Sequence, residues 1–411
     1  MKTIQKKILI TILLLFLLIS NFSFVFAEDE GPNITAGAAI LIDNRTNKVL
    51  YNKNENEKMY PASTTKIMTA ILTLENCDLN ETVTASYDAV MSIPNGYSSA
   101  NIQIGEQLTV EQLLQTLLVH SANDAANILA EHVGGSIDSF ISMMNTKLNE
   151  LNLENSHFTN AYGQHDEDHY TTAHDLAFLL QYCLKNESFR RIAGSASCAI
   201  PATNKSSSRL YHSTNELLIS NNKNYYQYLT SGKTGYTSQA KECLVSSAYK
   251  DDLELICVVL GSSNRFGETR KLYEYGFSNY LIKNIVNQND IATQIEISNG
   301  TKNTRNLDLM TKDSISALVK NSEQTLKPEP EIILNDNISA PITEHDVLGQ
   351  AKYEIEGVEY TTDLIASHNV EKSMFLNYVL YIGITFIVLF LCYEFFFSNK
   401  KKKKNKRRRR I

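Results

Sequence analysis

Ser63 and Lys66 stand one helical turn apart at the head of an apolar run, PASTTKIMTAILTLE, at residues 61–75. Side chains three positions apart lie on the same face of a helix, so the Lys66 amine can reach the Ser63 hydroxyl. A serine is activated by an adjacent base, and burial beside other positive charge favours the neutral amine that such a base requires. The pair is therefore a candidate nucleophile and general base.

The Ser-x-x-Lys spacing is weak evidence by itself. In the ordinary alternative, Ser63 caps the N-terminus of a helix and Lys66 reaches back to solvent. The helix that follows is apolar on most of its faces, which predicts that it is buried in the middle of a domain. The same spacing recurs at Ser220/Lys223, Ser238/Lys241, Ser247/Lys250 and Ser398/Lys401.

A second polar motif interrupts a helical pattern in LLQTLLVHSANDAANILAEHVGG. Ser121 and Asn123 are predicted to lie on a short link between two helices, from which both side chains can point into one cleft. Ser-x-Asn also occurs at residues 213–215 and 262–264, so this motif is equally weak when taken alone.

Lys-Thr-Gly occurs once, at residues 233–235, and is predicted to open the first strand of a strand-turn-strand unit that ends near residue 263. Lys233 and Thr234 offer a cation and a hydroxyl to an anion, and the glycine lets a substrate backbone lie close to the strand edge. Cys243 and Cys257 flank the turn YKDD, at residues 249–252, almost symmetrically. A disulfide between them is an open alternative to two small buried thiols.

The ends of the chain indicate export and a membrane anchor. Residues 1–27 combine a basic start, an apolar core and small residues before a cleavage point, which is typical of a secretory signal. Residues 375–397 are long enough to cross a hydrocarbon layer of about 30 Å. The Lys/Arg-rich tail at 398–411 follows directly, and such charge stays on the cytoplasmic side of the cell membrane. The body is therefore predicted to be extracytoplasmic and the tail cytoplasmic.

The formal net charge of −6 hides an acidic body. Without the 10 basic residues of the tail and the three lysines of the leader, 26 basic residues remain against 44 acidic ones outside the span, a balance of −18. Binding of nucleic acid needs a basic face, so nucleic acid is excluded as a partner. The basic tail is interpreted as a topology signal because it directly follows the span.

The part of the chain between leader and span is long enough for two domains. Residues 28–283 mix helical and strand patterns. Residues 290–368 contain short alternating strands broken by Gly, Asn and Pro, which predicts a small β-rich C-terminal domain.

The order Ser-x-x-Lys, Ser-x-Asn, Lys-Thr-Gly resembles the motif set of the penicillin-recognising serine enzymes. The segments PASTTKIMTA, SANDAA, HYTTAHDLA and GKTGYT are similar to those of the low-molecular-mass D-alanyl-D-alanine carboxypeptidases, and the close resemblance covers about residues 30–283. It implies an α+β fold with an antiparallel sheet flanked by helices and a helical subdomain, to which the sequence patterns add the β-rich C-terminal domain and one transmembrane helix. Many relatives anchor by an amphipathic helix, whereas residues 378–393 show no polar face and predict a true span.

The resemblance implies a catalytic role for three residues. Ser63 would attack the carbonyl between the two terminal D-alanines of a peptidoglycan stem peptide while Lys66 takes its proton. Ser121 would pass a proton toward the leaving amine. Free D-alanine then departs and water cleaves the acyl-enzyme. β-Lactams would acylate the same serine and act as covalent inhibitors.

The resemblance also implies the residues that bind substrate. Asn123 would hold the substrate amide, and Lys233 and Thr234 would bind the terminal carboxylate beside Gly235. The backbone N–H groups of the nucleophile and of Tyr236 would form an oxyanion hole. No metal and no other cofactor is expected.

Three alternatives stay open. GQHDEDHYTTAHD, at residues 163–175, concentrates histidines and acids as a zinc peptidase would, although the chain has no His-Glu-x-x-His. A class A β-lactamase uses a glutamate for deacylation, three positions before Leu-Asn in that family, and the Leu-Asn pairs at residues 79, 148, 151 and 376 have no glutamate there. A non-catalytic receptor that senses β-lactams or binds the wall would also become acylated, so catalytic release of D-alanine is the distinguishing observation.

Overall fold

The computed structural model describes residues 31–94, 96–323 and 328–408. The predicted signal at residues 1–27 lies outside the described residues. The chain forms two compact units. The first contains residues 49–248 and 255–275 together with the described chain up to Ile42, and the second contains residues 43–48, 249–254 and the chain from Gly276 onward.

A five-stranded sheet forms the centre of the first unit. Across the sheet the order is β2 (Val49–Lys53), β1 (Ala38–Asp43), β9 (Leu253–Ser262), β8 (Lys241–Lys250) and β7 (Leu229–Thr237). The pairs β1/β2 and β7/β8 are antiparallel. Strand β7 is at one end of this order, so one of its edges carries no strand of the sheet.

The segment predicted as a strand-turn-strand unit contains three strands, β7, β8 and β9, and the turn between β8 and β9 is Asp251–Asp252, with φ of 49° and 64°. Two residues with positive φ match the twist of a tight hairpin. The prediction that Lys-Thr-Gly opens the first strand is wrong, because β7 begins at Leu229 and the small residues before Lys233 pair with serines of β8. Cys243 and Cys257 are buried free thiols on β8 and β9.

The first unit also contains helices and two short strand pairs. The helices are α1 (Lys66–Asn76), α2 (Tyr87–Met91), α3 (Val110–Gln115), α4 (Asn123–Gly134), α5 (Ile137–Glu150), α6 (Ala173–Cys183), α7 (Glu187–Ala193) and α8 (Arg265–Asn279), which runs into the second unit. The antiparallel pairs are β3 (Thr82–Thr84) with β4 (Gln107–Thr109) and β5 (Ser197–Ile200) with β6 (Arg209–His212).

Helix α1 is buried, as its apolar pattern predicted. The residues from Lys66 to Thr73 are all buried, and Ile67 and Ile71 belong to the same hydrophobic cluster as Ile42 of β1 and Val258 of β9. Removing this apolar surface from water is worth about 25 cal/mol per Å² and dominates the stability of such a core. The sheet and α1 therefore form one rigid support for the residues at the start of the helix.

The second unit is β-rich, as predicted. A five-stranded sheet has the order β11 (Ile291–Glu296), β12 (Asn306–Thr311), β16 (Val358–Ala366), β15 (Val347–Ile355) and β14 (Glu331–Leu334), and β10 (Tyr280–Val286) pairs with β13 (Ile315–Lys320). It has a hydrophobic core of its own that includes Leu307, Leu309 and Leu364. The predicted fold class, a mixed α and β domain followed by a β-rich domain, is confirmed.

A long helix, α9 (Phe375–Arg408), follows the second sheet. Its stretch Tyr378–Phe397 has 20 residues with a mean hydropathy of 2.2, and its side chains are exposed. By length and composition this helix could cross a membrane.

Candidate active site

Lys66 lies at the centre of a group of polar atoms at the start of α1. Its Nζ is 2.9 Å from Ser63 Oγ, 2.6 Å from Asn123 Oδ1 and 2.7 Å from the carbonyl oxygen of Tyr162. The structure therefore brings together the first two motifs predicted from the sequence. The Tyr162 carbonyl is a partner that no motif indicated.

The Lys66 side chain is completely buried. This burial lowers the pKa of its amine well below the ordinary value, and the positive charge of Lys233 lowers the pKa further, while the carboxylate of Asp124 opposes both effects. A buried amine beside a second cation is pushed toward its neutral form. Such an amine can accept a proton from a hydroxyl group.

Ser63 lies in a 3-10 turn, Ala62–Thr65, directly before α1. The sequence suggested that Ser63 opens the α-helix, but the helix begins at Lys66. Ala62 has a φ of +48°, an uncommon value for a residue with a side chain. A Cβ atom at Gly163 would overlap the carbonyl group of Ala62, and a Cβ atom at Gly235 would lie 3.1 Å from the backbone nitrogen of Ser63. Gly163 and Gly235 therefore let two chain segments approach the turn closely.

Gly235 was expected to make room for a substrate backbone. The structure shows that the space beside its Cα contains the turn of the chain itself, because a Cβ atom there would also lie 2.8 Å from the carbonyl oxygen of Pro61. The glycine therefore sets the distance between β7 and the serine.

The turn that carries Ser63 is held by a buried histidine. The Nε2 of His169 is 2.8 Å from Thr65 Oγ1, and Thr65 Oγ1 donates to the carbonyl oxygen of Ala62 at 2.8 Å. The Nδ1 of His169 accepts the backbone N–H of Thr159 at 2.9 Å, so the ring proton is on Nε2. Burial lowers the pKa of His169 to about 3, and the ring is therefore neutral at physiological pH.

Ser121 lies between a π-helical turn, Thr116–His120, and α4, with a φ of +67°. Lys233 Nζ donates to Ser121 Oγ at 2.9 Å and to the Thr234 carbonyl oxygen at 2.8 Å. Asn123 is the first residue of α4, so the prediction that it lies on the link is wrong by one residue. Its position at a helix start still directs it at Lys66.

Lys233 is almost completely buried. Burial lowers the pKa of its amine to about 7, and the nearby charge of Arg265 acts in the same direction. Arg265 itself donates from Nη1 to the Gly235 carbonyl oxygen at 2.9 Å. Lys233 on β7 and Arg265 on α8 thus put two cationic groups beside the same strand, and this part of the strand is suited to bind an anionic ligand.

Comparison with known proteins agrees with this geometry. Residues 25–264 match the sequence profile of the D-alanyl-D-alanine carboxypeptidases, and residues 280–372 match that of the C-terminal domain of penicillin-binding protein 5. The chain belongs to the D-alanyl-D-alanine carboxypeptidase family. It is therefore a hydrolase of the serine type.

Individual relatives cover between 60% and 91% of the carboxypeptidase chain. The D-alanyl-D-alanine carboxypeptidase DacF of Bacillus subtilis is 32% identical over 389 residues, which cover 91% of this chain and 97% of that protein. The solved structure of penicillin binding protein 5 from Haemophilus influenzae is 25% identical with a TM-score of 0.65, and the match covers 83% of this chain and 99% of that one. The DD-transpeptidase of Streptomyces K15, in a mutant form, is 32% identical with a TM-score of 0.56 over 60% of this chain and 99% of that one.

The remaining predicted residues of the carboxypeptidase lie along β7. Thr234 Oγ1 is 2.5 Å from Thr214 Oγ1, and Tyr236 is 66% exposed, so its side chain faces solvent. Sequence reasoning did not find Tyr162, Thr214 or Arg265, and no local spacing could have identified them. His169 was noticed only as part of the possible zinc cluster.

The acidic and histidine-rich segment of the carboxypeptidase, residues 163–175, has structural roles in this fold. His169 supports the serine turn, as described above. Asp175 accepts hydrogen bonds from the Asn155 backbone at 3.0 Å and the Ser156 hydroxyl at 2.8 Å, and the ring of His165 packs edge-on against Tyr60. These side chains are thus directed at different neighbours.

Proposed function

We propose that this protein removes the terminal D-alanine from peptidoglycan stem pentapeptides through an acyl-enzyme on Ser63. The observation that carries the proposal is the fully buried Lys66 amine, 2.9 Å from Ser63 Oγ, with its pKa well below the ordinary value. A serine next to a neutral, fixed amine is the arrangement that nucleophilic catalysis requires.

The neighbours of Lys66 also orient its lone pair. A neutral amine has two N–H groups and one lone pair, and two of its three neighbours, the Asn123 Oδ1 and the Tyr162 carbonyl, are acceptors. When both N–H groups donate to these oxygens, the lone pair is left for the Ser63 hydroxyl proton. Asn123 and Tyr162 thereby select the direction of proton transfer.

The reaction then has two steps. Ser63 Oγ attacks the carbonyl carbon of the penultimate D-alanine, and its proton passes to Lys66. As the C–N bond breaks, Ser121 gives its hydroxyl proton to the leaving amine and takes up the proton from Lys66, which is then neutral for the second step. Water later attacks the ester with Lys66 as the base, which regenerates the serine. The backbone N–H groups of Ser63 and Tyr236 stabilise the oxyanion in both steps, and loss of one such donor typically costs about 10²–10³ in rate.

Substrate recognition is assigned to the residues around β7. The terminal carboxylate binds Lys233 and the Thr234 hydroxyl, and Asn123 holds the amide of the peptide. The second cation, Arg265, adds positive charge beside the same strand. Because penicillin also carries a carboxylate next to its reactive carbonyl, it would acylate Ser63 in the same orientation.

The location follows from the two ends of the chain. The catalytic unit (28–283) and the β-rich domain (290–368) are placed outside the cell membrane, anchored by the span at 375–397, with the basic tail at 398–411 in the cytoplasm. The apolar helix Tyr378–Phe397 supports the anchor. An outside location gives the enzyme access to its peptidoglycan substrate.

The test is release of D-alanine from a diacetylated Lys-D-Ala-D-Ala peptide by the full chain in detergent. We expect turnover at or below the usual range of about 1–10³ s⁻¹. Ser63→Ala should abolish release, whereas Ser220→Ala, which changes another Ser-x-x-Lys serine, should have no effect. Release of a single equivalent would instead favour a β-lactam-sensing receptor.

Penicillin separates the carboxypeptidase from a β-lactamase. After ring opening the penicillin residue stays tethered in the site and blocks water, whereas D-alanine leaves and clears a path. Intact-mass spectrometry after a short penicillin pulse should therefore show an adduct on Ser63 that lasts for minutes. Loss of the adduct within seconds, with penicillin hydrolysed in large excess, would contradict the proposal and identify a β-lactamase.

A further inference from the structure

A cysteine, a glutamate and a histidine meet in the first unit at the opposite ends of the helices that carry the catalytic site. The Sγ of Cys77, a carboxylate oxygen of Glu81 and a ring nitrogen of His132 all lie within 4.8 Å of one another. His132 Nε2 is 3.0 Å from Glu81 Oε1. Cys77 and His132 are partly buried and Glu81 is exposed, so the cluster is open to an ion from solvent.

The position of the cluster relates it to two helices. Cys77 follows the last residue of α1, which begins at Lys66, and His132 lies in the last turn of α4, which begins at Asn123. These helices have 11 and 12 residues, so each is about 16–18 Å long at about 1.5 Å per residue. The Lys66–Asn123 hydrogen bond joins them at one end, and this cluster joins them at the other.

We propose that Cys77, Glu81 and His132 bind a zinc ion with a water molecule as the fourth ligand. Thiolate, imidazole and carboxylate together are the ligand types that zinc prefers in tetrahedral sites. Ligand atoms at about 2.0–2.3 Å from one zinc ion lie about 3–4 Å apart. Small side-chain rotations bring the three atoms to these separations.

The charges of the ligands match those of the ion. Coordination releases the thiol proton of Cys77 to solvent, and the resulting thiolate and the carboxylate of Glu81 together balance the two positive charges of zinc. A neutral His132 completes the set because zinc takes the free lone pair of its ring nitrogen. The negative balance of the body, 44 acidic against 26 basic residues, also favours cation binding over anion binding.

Two other roles for the cluster explain less. A cysteine nucleophile needs a lowered pKa, but burial raises the pKa of the Cys77 thiol and the charge of Glu81 raises it further. A simple ion pair between Glu81 and His132 accounts for the 3.0 Å contact but not for the thiol beside it. Since the ion lies a helix length from Lys66, we expect it to stabilise the packing of α1 on α4 and to take no part in hydrolysis.

The first test uses the full chain in detergent, stripped with EDTA and titrated with zinc chloride. Zinc at about 100-fold above its Kd should raise the unfolding temperature by about 5 °C. Cys77→Ser and His132→Gln should each weaken binding by about 100-fold or more, because even changes outside the coordination shell cost about 10–100-fold. The matched variants Cys198→Ser and His212→Gln should bind zinc as the parent chain does.

The second test follows Cys77 directly by peptide mass spectrometry after a pulse of iodoacetamide. Zinc should slow alkylation of Cys77 by about tenfold or more, since the bound thiolate is shielded, and His132→Gln should remove this protection. Cobalt chloride should give a thiolate-to-metal absorption band that Cys77→Ser abolishes. Alkylation of Cys77 that is equally fast with and without zinc, or protection that persists in His132→Gln, would overturn the proposal and leave Glu81 and His132 as an ion pair.

Discussion

Lys66 and Asn123 are joined by a hydrogen bond of 2.6 Å although 57 positions separate them in the sequence. The amide oxygen is a neutral acceptor, so it orients the amine without adding a charge that would keep it protonated. This distinction can be tested, because a single substitution replaces the amide by a carboxylate of nearly the same shape.

Asn123→Asp should raise the pKa of Lys66, since an opposite charge within hydrogen-bond distance favours the protonated amine by about 1–3 pKa units. We expect the acidic limb of the pH profile of kcat/KM for D-alanine release to move to higher pH by a similar amount, with a corresponding loss of activity at neutral pH. Asn127→Asp, on the same helix and equally buried, is the control. A uniform loss of activity at every pH would show that Asn123 acts only by binding substrate.

Lys233 should set the basic limb of the same profile. Burial lowers the pKa of its amine to about 7, so the cation that binds the substrate carboxylate is lost as the pH rises through that value. We expect kcat/KM to fall about tenfold per pH unit above the pKa of Lys233, because each pH unit lowers the protonated fraction of its amine about tenfold. Lys233→Arg should remove this limb, whereas Lys241→Arg should leave it in place. A limb that survives in Lys233→Arg belongs to another group.

Gly163 should not tolerate a side chain. It has a φ of +89°, and a Cβ atom there would overlap the Ala62 carbonyl and lie 2.8 Å from the nitrogen of Ser63. Gly163→Ala is therefore expected to displace the serine turn and lower kcat/KM by about 100-fold or more, as a misplacement of about 1 Å does. Gly135→Ala is a matched control, since Gly135 has a φ of +72° and open space around it. Equal effects of the two changes would mean that backbone strain alone is responsible.

Thr65 should act as a positioning residue for Ser63. Thr65→Val keeps the shape of the side chain but removes the hydrogen bonds to His169 and to the Ala62 carbonyl, which leaves buried polar groups unpaired at about 1–3 kcal/mol each. We expect kcat to fall by about 10- to 100-fold with little change in KM, and Thr65→Ser to restore it. An effect on thermal stability with normal kcat would show that the contact supports only the fold.

The apolar helix near the C-terminus should span the membrane. A tag placed after Ile411 should survive protease added to intact cells, and carbonate washing should not extract the protein, because a true span is held by its full apolar length. Digestion of the tag from outside would show that the tail is extracytoplasmic. Extraction by carbonate would show that the helix lies on the surface of the membrane.

Sequence patterns predicted the elements of the site better than their boundaries. The apolar run after Lys66 predicted a buried helix, and the hairpin with Asp251–Asp252 was recognised from its turn. The predicted start of β7 at Lys233 was wrong because small residues such as Ser231 and Gly232 carry no strand signal of their own. They belong to the strand because β8 provides a partner for them.

The sequence by itself determined which groups could do chemistry, since Ser63 with Lys66, Ser121 with Asn123 and Lys-Thr-Gly at 233–235 are recognisable from residue type, spacing and order. Only the tertiary structure decided how these groups behave. It placed Lys66 against the carbonyl of Tyr162 across 96 positions and Lys233 against Ser121 across 112, and it buried both amines. The pKa of a group and the direction of a lone pair depend on solvent exclusion and on neighbours in space, which residues distant in the chain supply only when the core brings them together.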